Sequence, residues 1–115
     1  MADVREAASR IHDLGAGTVV VTGGHGTGKE SIDLFFDGRA FVELRTARVP
    51  ARNIHGTGCA FAAALAAGLA SGLKAVDAAR LAQAYVAGAM RHAISIGRGA
   101  AVLDHFWQAP ARPPK

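Results

Sequence analysis

Apolar residues at Val4, Ala7, Ala8, Ile11 and Leu14 recur at the three-and-four spacing of one helix face, with Gly15 or Gly17 placed to end that helix. The run Thr18-Val19-Val20-Val21-Thr22 is β-branched without alternation, the pattern of a strand covered on both faces. Residues 31–36 and 39–44 are two further runs around Asp37-Gly38, a dipeptide that signals a two-residue hairpin turn. In that register Leu34 faces Phe41. Residues 45–49 read as another short extended piece, stopped by Pro50.

The second half is helical by pattern. A helix is predicted from Thr57 to about Ala70, with Phe61, Leu65 and Leu69 on one stripe and Ser71-Gly72 closing it. A second runs from about Ala75 to Ile94, helped by Asp77 in its first turn and broken by Gly97-Arg98-Gly99. Residues 101–106 read as a last extended segment. The tail 110–115, with prolines at Pro110, Pro113 and Pro114, is expected to fray, which leaves 1–109 as the folded unit. Helix, buried strand, hairpin and packed helices together predict part of an α/β sandwich.

Composition narrows the function classes. The chain has 115 residues, half of them hydrophobic, which fits one domain but is small for a complete metabolic enzyme. The net charge is +4, yet its arginines are scattered and no basic stripe interleaves with aromatics, so nucleic acid is not the expected partner. One cysteine, no Cys/His metal spacing and no membrane-length apolar run predict a cytoplasmic protein without disulfide, metal site or bilayer contact. Nothing at the N-terminus reads as a signal peptide, because Asp3, Arg5 and Glu6 interrupt it.

Chemistry concentrates in Asn53-Ile54-His55-Gly56-Thr57-Gly58-Cys59, where a glycine-rich turn enters the first long helix. Unpaired N–H groups and the positive end of the helix dipole make such a turn an anion site. Cys59 falls in the first helical turn. It is a thiol activated as base or nucleophile, or a small buried hydrophobe, and the sequence leaves both readings open. Residues 23–30 nearly match a P-loop, but Glu30 stands where a hydroxyl should meet magnesium, and a hairpin follows where a helix should open. His-Gly-Thr-Gly also occurs at 25–28, but only the copy at 55–58 opens a helix. His55 is expected to cap or touch the loop. His25, His92 and His105 are expected to be structural or peripheral, and Asp104 and His105 to be surface residues.

The segment 53–59, with the alanine-rich helix behind it, resembles the hydroxymethylpyrimidine/phosphomethylpyrimidine kinases of thiamine biosynthesis, a branch of the ribokinase-like superfamily. The strand at 18–22 with Gly23-Gly24-His25, the Asp37-Gly38 hairpin, and Gly97-x-Gly99 followed by His105-Phe106 fall in the family's order. The resemblance spans nearly the whole chain but only the C-terminal part, less than half, of a typical member. It implies a partial ribokinase-like αβα sandwich. It makes Gly56, Thr57 and Gly58 the anion hole for the transferring phosphate, and puts Cys59 where most ribokinase-like enzymes have an aspartate base. Thr22, Gly24 and Asn53 would border ATP, which acts with Mg2+. Thr22 stands where the family usually has lysine, and Ile54 where it usually has threonine.

The substrate implied is a pyrimidine alcohol or its phosphate. Pyridoxal kinase activity of the same branch and a non-catalytic nucleotide- or phosphate-binding fragment are the alternatives. The resemblance allows two macromolecular partners, a second copy in a homodimer or a complementing N-terminal segment.

Overall fold

A three-stranded antiparallel sheet with helices on both faces organises the first half of the chain. The computed structural model describes residues 1–23, 28–49 and 54–109. Helix α1 (Ala2–Asp13) precedes strands β1 (Val19–Val21), β2 (Glu30–Phe36) and β3 (Phe41–Ala47), in spatial order β1-β2-β3. A short strand β4 (Ile54–His55) leads into α2 (Thr57–Ala70), and α3 (Ala75–Arg91) packs beside it. The last strand, β5 (Ala101–Val102), pairs parallel with β4.

Alternation along the strands assigns the layers. Val19, Leu34 and Phe36 face α1 and close over its buried Ala8. Phe35 and Leu44 face the other way, onto Ala79 of α3. Val20 shares that second side and also packs against the cluster formed by Ala60, Phe61, Ala82, Val86, Ala89 and Leu103. Helix, sheet, helix pair is the α/β sandwich predicted from the pattern, in the αβα layering that the family resemblance implies.

The strand buried on both faces is β2, not the expected 18–22 run. Asp33, Leu34, Phe35 and Phe36 are all buried, whereas β1 is three residues long and half-buried beyond Val19. Being central decides it: β2 has a partner on each side, and β1 pairs only with β2 among the described residues. The hairpin register also differs. Phe36 pairs with Phe41 and Leu34 with Glu43, so the connection holds four residues rather than two. Asp37 is the cause, because its Oδ1 accepts the N–H groups of Arg39 and Ala40 (both 2.8 Å) and draws them into the turn. A shift of two residues leaves every side chain on its expected face. The piece expected at 45–49 is the continuation of β3 through Ala47.

Helix α2 begins and ends where predicted, although Leu69 at the end of its stripe is exposed. Helix α3 stops at Arg91, short of Ile94, because Ile94 exchanges both backbone hydrogen bonds with Val102. Only Ala101–Val102 of the expected 101–106 strand is extended. Asp104 Oδ1 accepts the Phe106 N–H (3.0 Å) and turns the chain back over α3. There Trp107 Nε1 donates to the Tyr85 carbonyl (3.0 Å), and its ring stacks on His92. The expected fraying tail at 110–115 lies outside the described residues.

Candidate active site

The turn into α2 is built from backbone. Gly56 is the N-cap with φ of 92°, a left-handed conformation that glycine adopts without steric cost. The first helical hydrogen bond runs from the Ala60 N–H to the Gly56 carbonyl (3.0 Å). The amides of Thr57, Gly58 and Cys59 therefore precede the ladder and have no acceptor within the helix. Among the described residues no side chain caps them, and the first turn itself carries no acidic residue to compete with an anion. Buried Ala60 and Phe61 lock this turn to the core.

Cys59 is exposed. That removes the buried-hydrophobe reading and places an exposed thiol within the first turn of α2. His55, on β4, is exposed too, and its ring makes no hydrogen bond among the described residues. The P-loop alternative fails on its second requirement, since the chain after Lys29 enters strand β2 and opens no helix.

The exit of β1 carries Thr22, one of the residues expected to border ATP. Thr22 is exposed and Gly23 is half-buried. Val20, two residues before Thr22, packs into the same cluster as Ala60 and Phe61, which ties the end of β1 to the first turn of α2. Thr22 and the Gly56–Cys59 turn are thus borne by elements sharing one core. Gly24 and Asn53, expected to border ATP, lie outside the described residues.

Sequence reasoning missed Asp33. Its carboxylate is buried; Oδ1 accepts the Gly23 N–H (2.8 Å) and Oδ2 accepts Gln83 Nε2 (3.0 Å). The same Gln83 nitrogen donates to the Leu44 carbonyl (2.7 Å). A lone acid inside Ile32-Asp33-Leu34-Phe35-Phe36 was the available signal. Arg48 was also missed. Its Nε donates to the Gly28 carbonyl (2.9 Å) and its Nη2 to that of Glu30 (3.2 Å). Among the described residues no group of three or more His, Cys, Asp or Glu side chains is placed to hold a metal. Asp33, the buried acid, is already committed to two donors, so no magnesium ligands are assigned here.

Helix-terminal amides without an acceptor in the helix, with an exposed thiol in the same turn, suit the stabilisation of a phosphoryl group in transfer. The model of the phosphomethylpyrimidine kinase family matches residues 1–104. The chain belongs to that family. A hydroxymethylpyrimidine/phosphomethylpyrimidine kinase of Rhizobium meliloti is 44% identical over 107 residues, covering 91% of this chain and 40% of the relative. The thiamine biosynthesis bifunctional protein ThiED of Geobacter sulfurreducens is 42% identical, with 92% of this chain and 22% of the relative covered.

Among solved structures, the pyridoxal kinase of Staphylococcus aureus in complex with AMP-PCP and pyridoxal superposes with a TM-score of 0.89 at 35% identity. That match covers 94% of this chain and 40% of the other. An ADP complex of Bacillus subtilis pyridoxal kinase gives 0.88 at 30% identity, covering 94% and 42%. The fold is therefore part of a ribokinase-like sandwich. This chain spans about 40% of the length of the single-function kinases it matches.

Proposed function

We propose that this chain is the phosphate-handling part of an ATP-dependent kinase that phosphorylates hydroxymethylpyrimidine and then its monophosphate. The observation that carries the reading is the left-handed Gly56 opening α2, with the amides of Thr57, Gly58 and Cys59 without a partner among the described residues and the Cys59 thiol exposed in the same turn. Those amides would stabilise charge on the transferring phosphoryl group, and Cys59 would take the proton from the substrate hydroxyl. Thr22, Gly24 and Asn53 would border the nucleotide. Magnesium would travel with the ATP phosphates, without protein ligands assigned on this chain. The cytoplasm suits a free exposed cysteine, since thiols stay reduced there.

A specific observation favours a second reading. Solved structures that superpose on the chain include pyridoxal kinases at 30–36% identity, so pyridoxal is the alternative substrate. The test is turnover of both alcohols, side by side, by this chain complemented with an N-terminal kinase segment. Hydroxymethylpyrimidine is expected to be turned over faster, and Cys59→Ala to lower turnover by about a hundredfold. Faster turnover of pyridoxal would move the assignment to the second reading. Unchanged turnover in Cys59→Ala would remove the thiol from the mechanism. No turnover of either alcohol, with ATP still bound, would leave a non-catalytic nucleotide-binding fragment.

A further inference from the structure

The phosphoryl transfer proposed above leaves one buried ionisable group among the described residues without a part. Asp33 lies in the central strand, on the face it shares with Phe35, at 6% exposure. A carboxylate in such a place is costly to bury, and an apolar residue of similar size would hold the layers together at least as well. What an apolar residue would not do is accept the Gly23 N–H.

That acceptor sits at a constrained point of the chain. Gly23 lies so close to β2 that a Cβ built on it would collide with the Ile32 carbonyl oxygen. The backbone leaving β1 is thus pressed against β2 on one side and fastened by the Asp33 carboxylate. Gln83, reaching from α3, holds that carboxylate through Oδ2 while its nitrogen also binds the Leu44 carbonyl. Exposed Thr22, a proposed ATP contact, is the residue immediately before this anchor. The carboxylate reaches no solvent-facing ligand itself; its effect passes through the Gly23 backbone.

We propose that Asp33 is a positioning residue for nucleotide binding, fixing the Thr22–Gly23 backbone in the orientation that receives ATP. It deepens the kinase reading and rests on it. Asp33→Leu removes the acceptor while keeping the site filled, and Asp33→Asn keeps an oxygen for the Gly23 N–H. Gln83→Leu cuts the α3 link but leaves the Gly23 bond.

The test titrates the full 115-residue chain with ATP and, separately, with inorganic phosphate. Backbone amide signals of Thr22–Gly23 and Thr57–Cys59 are followed, together with thermal unfolding and exchange of the Gly23 amide. Asp33→Leu is expected to weaken ATP binding about tenfold, the scale of one well-placed hydrogen bond. It should also speed Gly23 exchange, with phosphate binding at Thr57–Cys59 unchanged. Asp33→Asn should bring ATP affinity back to within about threefold of the parent, and Gln83→Leu should stay within about twofold whatever it does to stability. If Asp33→Leu does not fold, Asp33→Ala carries the same comparison.

Parent-like ATP affinity in the variant lacking the acceptor overturns the proposal. So does a loss that follows the unfolding temperature across all the variants, because that is a purely structural role. A parent chain whose phosphate response is intact but whose Thr22–Gly23 amides ignore ATP also overturns it. A parent chain that responds to neither probe is the failure of the kinase reading itself, and the Asp33 role falls with it.

Discussion

Backbone, more than side chain, makes the proposed anion site, and single residues test that directly. Among the described residues nothing stands within reach of a Cβ at Gly56, so Gly56→Ala collides with none of them and isolates the cost of a left-handed φ. That cost is about 1–2 kcal/mol, and the helix entry is expected to relax by turning the amides of Thr57 and Gly58 away. Thermal unfolding should fall by several degrees while inorganic phosphate loses its effect on those amides; an unfolding loss with phosphate binding intact would show that the turn's shape does not make the site. Asp37 is a residue-scale test of another kind. The N–H groups of Ala40 and Arg39 hold its carboxyl below its ordinary range. A lowered folded-state pKa means that its contribution is complete above the unfolded value and is lost as pH falls through the folded one. Denaturant titrations of the parent and Asp37→Ala should therefore differ near neutrality and converge in acid, below the usual carboxylate range. A gap that stays constant down to that acid limit would remove the carboxylate's charge from the turn's energetics.

At the scale of elements, α3 is held to the C-terminal segment by a close approach that offers a sharper test. Gly88 is buried in mid-helix, where alanine is intrinsically better by about 1 kcal/mol. A Cβ there would run into the Trp107 indole, which is itself tied to the Tyr85 carbonyl. Gly88→Ala is expected to destabilise the chain by about 2 kcal/mol, the usual scale of overpacking. In a Trp107→Ala background the same change should be neutral or favourable. Urea unfolding of the four proteins closes that cycle, and additive effects would mean that the two sites do not touch in solution. The same elements explain what was legible in the sequence. Helix α2 was readable to the residue because glycine opens it, Ser71-Gly72 closes it, and both signals are local. The hairpin was readable as a hairpin but not in register, because the Asp37 side chain takes two backbone N–H groups that the Asp-Gly pattern does not disclose. Asp33 was invisible as an anchor, since its partners stand ten and fifty residues away along the chain. The thiol's exposure was equally unreadable. Whether Cys59 faced solvent or core depended on how α2 turned against α3.

For the whole molecule, the decisive fact is how little holds the sheet. Three strands separate the cluster around Ala8 from those around Ala79 and Ala82, and among the described residues the large side chains that are fully buried are Leu34 and Leu44. Truncating either to alanine should cost about 2–5 kcal/mol, a large share of the roughly 5–15 kcal/mol that a domain commands. Half-buried β1 has one edge without a partner among the described residues. Ile96 and Phe106 are 68% and 77% exposed, so apolar surface is left over as well. An unpaired strand and uncovered apolar side chains gain from any chain that extends the sheet. The family supplies a candidate, since relatives carry more than half of their length outside the matched region. The N-terminal segment of the Rhizobium meliloti kinase, added in trans at a hundred times its dissociation constant, should stabilise this chain by about 2.7 kcal/mol. For a domain of this size that is a rise of about ten degrees or more in the unfolding midpoint. The rise should grow with the concentration of the added segment, as binding to the folded state alone requires. A midpoint indifferent to the segment, while increasing with the chain's own concentration, would assign the open edge to a second copy instead.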